Sequence, residues 1–135
     1  MKQAADAGPC GPILVVDDDP TTVRALAQVL RTEGYEVLEA FDGPSALELC
    51  REHEPSMIVL DYMMPGMDGE TVLAMLRAEL DDRAPPAVLV TPGGAAQRRA
   101  SRLGAVVGLE KPFVVEELLG VIASHLAAVS RGEVN

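Results

Sequence analysis

Acidic side chains follow two of the apolar segments that this sequence predicts as buried strands. Asp17 and Asp18 come directly after residues 13–16, and Asp61 comes directly after residues 57–60. Because the carboxyl ends of parallel strands meet at one edge of a sheet, we expect these three carboxylates to lie close together. Carboxylates at such distances repel one another unless a cation binds or their pKa values rise. Hard divalent cations prefer oxygen ligands, so the sequence predicts a Mg²⁺ site at this edge.

Two further apolar segments end in side chains that suit the chemistry of phosphate. Thr91 offers a hydroxyl donor after residues 87–90, and Lys111 adds a fixed positive charge after residues 106–110. A carboxylate nucleophile, a metal ion, a lysine and a hydroxyl together are typical of phosphoryl transfer, where positioning and charge neutralisation carry most of the catalysis. Taken singly, each residue has an ordinary interpretation as a turn residue, a strand end or a surface charge. Their joint occurrence at four predicted strand ends favours one site for a phosphoryl group on an aspartate.

Short apolar runs alternate with amphipathic stretches along the chain, which is typical of α/β domains. The predicted strands cover residues 13–17, 36–40, 57–61, 87–91 and 106–110. The predicted helices cover residues 20–33, 44–53, 69–80, 95–103 and 114–129. Such β/α pairs predict a parallel sheet with right-handed crossovers and helices on both faces. The predicted fold is α/β, a flavodoxin-like doubly wound (βα)5 domain with strand order 2-1-3-4-5. In that order a ligand binds between the ends of strands 1 and 3, where the acids lie.

Length, charge and cysteine content limit the classes of protein to which the chain can belong. Its 135 residues suffice for one domain, expected over residues 12–129 between a flexible leader at 1–11 and a loose tail at 130–135. The net charge of −10 argues against direct binding to nucleic acid or to an anionic membrane. Neither a signal peptide nor a transmembrane segment is evident, and Cys10 and Cys50 form no metal-binding pair. We therefore expect a cytoplasmic protein with reduced cysteines.

The segments that carry these residues resemble the receiver domains of two-component response regulators. The matching segments are ILVVDDDP at 13–20, DYMMPGMDG at 61–69, Thr91, Gly104-Ala105 and KPF at 111–113. The resemblance covers about residues 12–129 and implies a phosphorelay protein that takes a phosphoryl group from a histidine kinase or a histidine phosphotransfer protein. Phosphorylation would then switch binding to a downstream effector, which the sequence does not identify. Such a domain is a signalling module, at most self-phosphorylating and autodephosphorylating, and not an enzyme with a separate substrate.

The resemblance assigns the acidic residues to acceptor and metal roles. It makes Asp61 the phosphoacceptor and a metal ligand. It places Asp18 in direct contact with Mg²⁺ and lets Asp17 act largely through water. The backbone carbonyl of Met63 completes the protein ligands that the resemblance implies.

The remaining assignments concern the phosphoryl group and the switch. The resemblance implies that Thr91 binds a phosphoryl oxygen and moves with it, that Lys111 pairs with Asp61 or its phosphate, and that the bond before Pro112 is cis. One position departs from the family pattern, because Gly108 stands where receivers usually carry a switch Tyr or Phe. The segment Pro92-Gly93-Gly94 is also unusual, and we expect the following helix to be short, poorly started or mobile.

Two other functions are consistent with parts of the sequence. Asp17-x-Asp19-x-Thr21 matches the first motif of haloacid-dehalogenase-type phosphatases, in which Asp17 would be the nucleophile. That interpretation leaves Asp61 without a role and finds no later acidic pair to complete its site. The second alternative is a receiver-like interaction module that does not switch by phosphorylation. Gly108 and the unusual Pro92-Gly93-Gly94 segment both leave this alternative open.

Overall fold

The computed structural model describes residues 11–132. The strands are β1 (Ile13–Val16), β2 (Val37–Ala40), β3 (Met57–Asp61), β4 (Ala87–Pro92) and β5 (Val107–Lys111). The α-helices are α1 (Pro20–Thr32), α2 (Gly43–His53), α3 (Gly69–Leu80), α4 (Ala96–Leu103) and α5 (Val115–Ser130), with a 3₁₀ turn at Asp81–Arg83. Every predicted strand and helix is confirmed, with ends that differ by one residue at most. Most of the predicted leader and tail, and Cys10 with them, lie outside the described residues.

The five strands form one parallel sheet in the order β2-β1-β3-β4-β5, which confirms the predicted fold class. Strand β1 lies between β2 and β3, so Ile13 pairs with Val37 on one side and with Met57 on the other. The neighbouring strands β1 and β3 therefore end side by side. Asp17 and Asp61 leave the sheet at adjacent positions because of this strand order.

Alternate strand residues bury themselves in two separate apolar layers. Ile13 and Val15 pack towards α1 and α5, whereas Leu14 and Val16 pack towards α2, α3 and α4. Residues of both layers are almost fully shielded from solvent, which fixes the register of the sheet and the positions of its strand ends. No helix within residues 11–132 is both long and apolar enough to cross a membrane.

Local signals in the sequence fix the ends of the helices that lead away from the site. The side chain of Asp19 accepts a hydrogen bond from the Thr21 N–H at 3.1 Å, and Pro20 occupies the first helical position, as predicted. Asp68 likewise caps α3 through the Thr71 N–H at 2.9 Å. The cap of α1 lies next to the acidic residues that follow β1, whereas the cap of α3 follows the loop after β3.

Helix α4 is short and begins without a side-chain cap, as the sequence predicted. Gly93 and Gly94 have φ angles of 91° and 76°, in the left-handed region, where a side chain is unfavourable. Ala95 then occupies the cap position and makes no side-chain hydrogen bond to the helix. The first turn of α4 is held by tertiary contacts instead.

The closest of these contacts lies over Gly108 of β5. A Cβ atom at Gly108 would collide with the carbonyl oxygen of Ala96 and lie 3.1 Å from the Cβ of Ala100. The Gly108 N–H also donates to the side-chain carbonyl of Gln97 at 3.0 Å. The backbone of α4 thus fills the space directly above the position at which the resemblance to receiver domains implies an aromatic ring.

We predict that adding one methyl group at this position destabilises the fold. Gly108→Ala should lower the free energy of unfolding by about 1–3 kcal/mol, because α4 must move away from the strand. The measurement is urea denaturation followed by circular dichroism.

Gly120→Ala is the matched control for this prediction. Gly120 lies in α5 and is exposed, and a Cβ atom added there would meet nothing within 4 Å beyond the backbone of its own helix. The same methyl group should stabilise the protein there by about 0.5–1 kcal/mol, because alanine is the better helix former. Equal effects at the two positions would contradict the close approach of α4 to β5.

Candidate functional site

Three carboxylates meet at the carboxyl edge of the sheet. One oxygen from each of Asp17, Asp18 and Asp61 lies within 4.8 Å of the others. Asp17 and Asp61 are buried, with 5% and 3% of their surface exposed, whereas Asp18 is exposed. The sequence predicted that these residues converge, and the structure brings them together. The cluster has two shielded carboxylates and one that faces water.

Backbone contacts at the end of β1 orient Asp17. Its N–H donates to the carbonyl of Ala40 at 3.3 Å, which continues the pairing with β2 by one residue. Its Oδ1 accepts from the N–H of Asp19 at 3.0 Å. Because Asp19 also caps α1, the start of that helix and the orientation of the Asp17 carboxylate depend on the same turn.

The loop after β3 holds Asp61 from the other side. The Met63 N–H lies 3.4 Å from Asp61 Oδ1, and the Tyr62 N–H donates to Val90 of β4 at 2.8 Å. A Cβ atom at Gly69 would lie 2.9 Å from the Asp61 carbonyl oxygen, so only glycine lets α3 begin so close to the acid. The side chain of Met63 is 59% exposed. Its backbone carbonyl as a metal ligand stays a prediction.

Lys111 bridges the two buried acids. Its Nζ lies 3.2 Å from Asp61 Oδ1 and 3.3 Å from Asp17 Oδ2. Burial alone would lower the pKa of Lys111, but Asp61 and Asp17 together raise it above its ordinary value, so the ammonium stays charged. The peptide bond from Lys111 to Pro112 is cis.

The charge of Lys111 does not fully compensate Asp61. Burial raises the pKa of Asp61 above its ordinary value of 3.8, and the neighbouring Asp17 raises it further. Lys111 and the Met63 N–H lower it only in part. The site therefore retains an excess of negative charge that a further cation would relieve.

These donors fit a small, hard divalent cation. The cluster offers only oxygen ligands, and the exposed Asp18 leaves one side open to the waters that Mg²⁺ usually retains. No histidine or cysteine joins this group within the part of the chain that the structure describes. Cys50 is buried in the core, where burial raises the pKa of its thiol to about 11, so it stays protonated and unreactive.

Thr91 lies one strand away from Asp61 and has an unexpected partner. It is fully buried at the end of β4, where Val90 pairs with Asp61. Arg99 of α4 donates from a guanidinium nitrogen to Thr91 Oγ1 at 2.9 Å. The same guanidinium lies over the ring of Tyr62, with its carbon 4.3 Å from the ring centre. Nothing in the sequence pattern indicated Arg99, since its position depends on how closely α4 approaches the sheet.

The predicted site residues therefore fall into two groups. Asp17, Asp18, Asp61 and Lys111 form one contiguous cluster. Gly108 stands apart from it, in the middle of β5 opposite Leu89 and beneath α4. Thr91 connects the two regions through its contact with Arg99.

Comparison with known proteins, by sequence and by structure, identifies relatives of this chain. The family described as the response regulator receiver domain matches residues 13–123. This chain belongs to the receiver domain family. The receiver is similar to the transcriptional regulatory protein PrrA of Mycobacterium tuberculosis, with 41% identity over 123 residues, 90% of this chain and 52% of the relative. It also resembles the DNA-binding response regulator MtrA of Mycolicibacterium smegmatis, with 38% identity over 84% of this chain and 50% of the relative. The receiver thus spans about half the length of these relatives.

Solved receiver domains have the same architecture. The receiver domain of NtrX from Brucella abortus superposes with a TM-score of 0.77 at 32% identity, covering 85% of this chain and 97% of that one. The receiver domain of the Francisella response regulator 1452 superposes with a TM-score of 0.80 at 26% identity, covering 88% and 98%. The similarity in sequence and the superposition of the folds both support the assignment to the receiver domain family.

The raised pKa of Asp61 predicts a pH-dependent gain in stability on neutralising this side chain. The folded state binds the proton more tightly than the unfolded chain does, so ionised Asp61 opposes folding. This cost is present above the folded pKa and is lost as the pH falls to the unfolded value of 3.8. Asp61→Asn should therefore raise the free energy of unfolding at pH 7 by about 1 kcal/mol.

Urea denaturation in EDTA at several pH values between 7 and 4.5 measures this gain. It should shrink as the pH falls, because wild-type Asp61 then takes up its proton. Asp82→Asn, which neutralises an exposed carboxylate in the 3₁₀ turn, is the control and should change stability by less than about 0.5 kcal/mol. A gain that stays constant or grows towards low pH would contradict the assignment.

Proposed function

We propose that Asp61 accepts a phosphoryl group from a histidine kinase or a histidine phosphotransfer protein, and that this modification switches binding to a downstream effector. The observation that carries the proposal is the shielded Asp61 carboxylate, paired with Lys111 inside a cluster of three acids. A nucleophile held in this way is partly stripped of water and oriented by fixed partners. We place the reaction in the cytoplasm, as predicted from the sequence.

In the proposed reaction, a P–O bond to Asp61 forms and the P–N bond of the phosphohistidine donor breaks. A carboxylate oxygen of Asp61 attacks phosphorus and forms an acyl phosphate, while the P–N bond to the donor imidazole breaks and its electron pair stays on the leaving nitrogen. Lys111 is placed to balance negative charge on the acceptor, and the Thr91 hydroxyl is placed to donate to a phosphoryl oxygen. Asp17, Asp18, Asp61 and the Met63 carbonyl would hold Mg²⁺. When bound, this ion neutralises charge on the transferring oxygens.

The contacts of the two buried acids favour Asp61 over Asp17 as the nucleophile. Both oxygens of Asp17 accept hydrogen bonds, one from the Asp19 N–H and one from Lys111. Within the part of the chain that the structure describes, the contacts of the Asp61 carboxylate with the Met63 N–H and with Lys111 both go to Oδ1. Asp61 therefore has the freer oxygen for attack, and the phosphatase alternative with Asp17 as nucleophile has less support.

The domain is proposed to act as a signalling module. It undergoes phosphorylation and dephosphorylation on its own Asp61 and does not turn over a separate substrate. The net charge of −10 gives no basis for direct contact with nucleic acid.

One feature favours a second candidate function, a receiver-like module that does not switch by phosphorylation. The backbone of α4 occupies the space above Gly108 in which the aromatic ring of other receivers would move.

We predict that the wild-type chain gains one phosphoryl group and that Asp61→Asn gains none. The experiment is incubation with acetyl phosphate and Mg²⁺, followed by intact-mass measurement. Asp82→Asn should be modified like the wild type, because this exposed carboxylate lies outside the site. Equal uptake by Asp61→Asn would move the acceptor to another residue, with Asp17→Asn as the next variant to measure.

We also predict that Mg²⁺ stabilises the folded chain through the carboxylate cluster. At ten times its dissociation constant the ion should add about 1.4 kcal/mol to the free energy of unfolding, because it binds the folded state alone. Asp18→Asn should abolish most of this gain, and Asp82→Asn should retain it. Thermal unfolding at increasing Mg²⁺ concentration, at constant ionic strength, measures the effect. A gain that survives Asp18→Asn would show that the ion binds elsewhere.

A further inference from the structure

Arg99 makes two contacts that a solvated helix residue would not make. Its guanidinium donates to Oγ1 of the fully buried Thr91 at 2.9 Å and lies 4.3 Å from the centre of the Tyr62 ring. Tyr62 is the residue directly after Asp61. The neighbouring Arg98 on the same helix is exposed, whereas Arg99 is half-buried. The guanidinium is therefore in contact with the residue after the proposed acceptor and with the hydroxyl proposed to bind the phosphoryl group.

The hydrogen-bonding capacity of the Thr91 hydroxyl leaves room for both partners. A hydroxyl has one proton to donate and two lone pairs that accept. Arg99 occupies a lone pair, so the proton remains available for a phosphoryl oxygen. At present the hydroxyl lies 3.4 Å from the Pro92 carbonyl, well beyond the usual length of about 2.7–2.8 Å for such a bond. If this proton turned towards a phosphoryl group, the hydroxyl would lose only its weak hydrogen bond to the Pro92 carbonyl.

Helix α4 is suited to follow a movement of Thr91. It is eight residues long, begins without a side-chain cap, and follows two glycines with left-handed backbone angles. A helix with few local constraints shifts at low free-energy cost. Arg99 is the side chain that ties this helix to the site by a charge-assisted hydrogen bond.

We propose that Arg99 is the positioning residue that couples the phosphorylation state of Asp61 to helix α4, through its hydrogen bond to Thr91 and its stacking on Tyr62. The coupling replaces the aromatic residue that is missing at Gly108. Because it concerns the response to phosphorylation, it rests on the proposed function of Asp61. When the Thr91 hydroxyl binds the phosphoryl group, Arg99 moves with it and carries α4 along.

The experiment compares hydrogen exchange of α4 before and after phosphorylation. The full chain is studied as wild type, Arg99→Gln and Arg98→Gln, each with acetyl phosphate and Mg²⁺, and intact mass reports the modified fraction. Exchange is then followed in a peptide that covers residues 96–103. In the wild type and in Arg98→Gln, phosphorylation should slow this exchange about tenfold, because the Thr91 hydroxyl gains a charge-assisted hydrogen bond to the phosphoryl group and Arg99 passes this constraint to α4. In phosphorylated Arg99→Gln the exchange should stay as it was before phosphorylation.

The comparison separates coupling from a merely structural role. Loss of a structural contact would alter the exchange of α4 equally in both states, leaving the response to phosphorylation intact. A tenfold response in Arg99→Gln, or no response in the wild type, would overturn the coupling while leaving Asp61 as the acceptor. Loss of phosphoryl uptake in Arg99→Gln would also overturn it, because the guanidinium would then act in the transfer itself. A wild type whose mass does not rise would overturn the proposed function and this inference together.

Discussion

The mutual repulsion of Asp17, Asp18 and Asp61 is the constraint on which the rest of this site depends. Three carboxylates that approach within 4.8 Å of one another are unfavourable unless positive charge is brought to them. Lys111 provides one charge from the end of β5, at 3.2 Å and 3.3 Å from the two buried acids. A bound cation would relieve the remaining excess of negative charge, and this excess changes with any change of charge on Asp61.

The fold maintains this unfavourable arrangement by burying the strands on both faces. Residues of β1 and β3 alternate between the layer under α1 and α5 and the layer under α2, α3 and α4. A slip of one residue would exchange these layers, so the strand ends are held in register. The stability of the apolar layers thus offsets the electrostatic cost at their edge. This division of roles is common in proteins, where functional sites carry strain that the core compensates.

Much of this architecture was accessible from the sequence, because the signals for its strands and helix starts are local and the alternation of strands and helices predicts the strand order. Apolar runs gave the strands, Asp19 with Pro20 gave the start of α1, and the order of strands placed Asp17 beside Asp61. The contact between Arg99 and Thr91 was not accessible, since it depends on the depth at which α4 packs. That depth is set by a tertiary contact, in which the carbonyl of Ala96 lies above Gly108. The pattern of apolar residues along the sequence does not predict such a contact. The metal-ligand role of the Met63 carbonyl and the limits of the domain stay predictions.

The glycine in the middle of β5 also changes how the state of this receiver can be recognised. An aromatic side chain occupies discrete staggered rotamers, so its χ1 angle alone can distinguish two conformations. Gly108 has no χ1 angle, and the atoms above it belong to the backbone of α4. Under the proposed function, the states of this chain would therefore differ in a backbone coordinate, the separation of Ala96 from Gly108. A partner protein that distinguished such states would have to recognise the position of a helix.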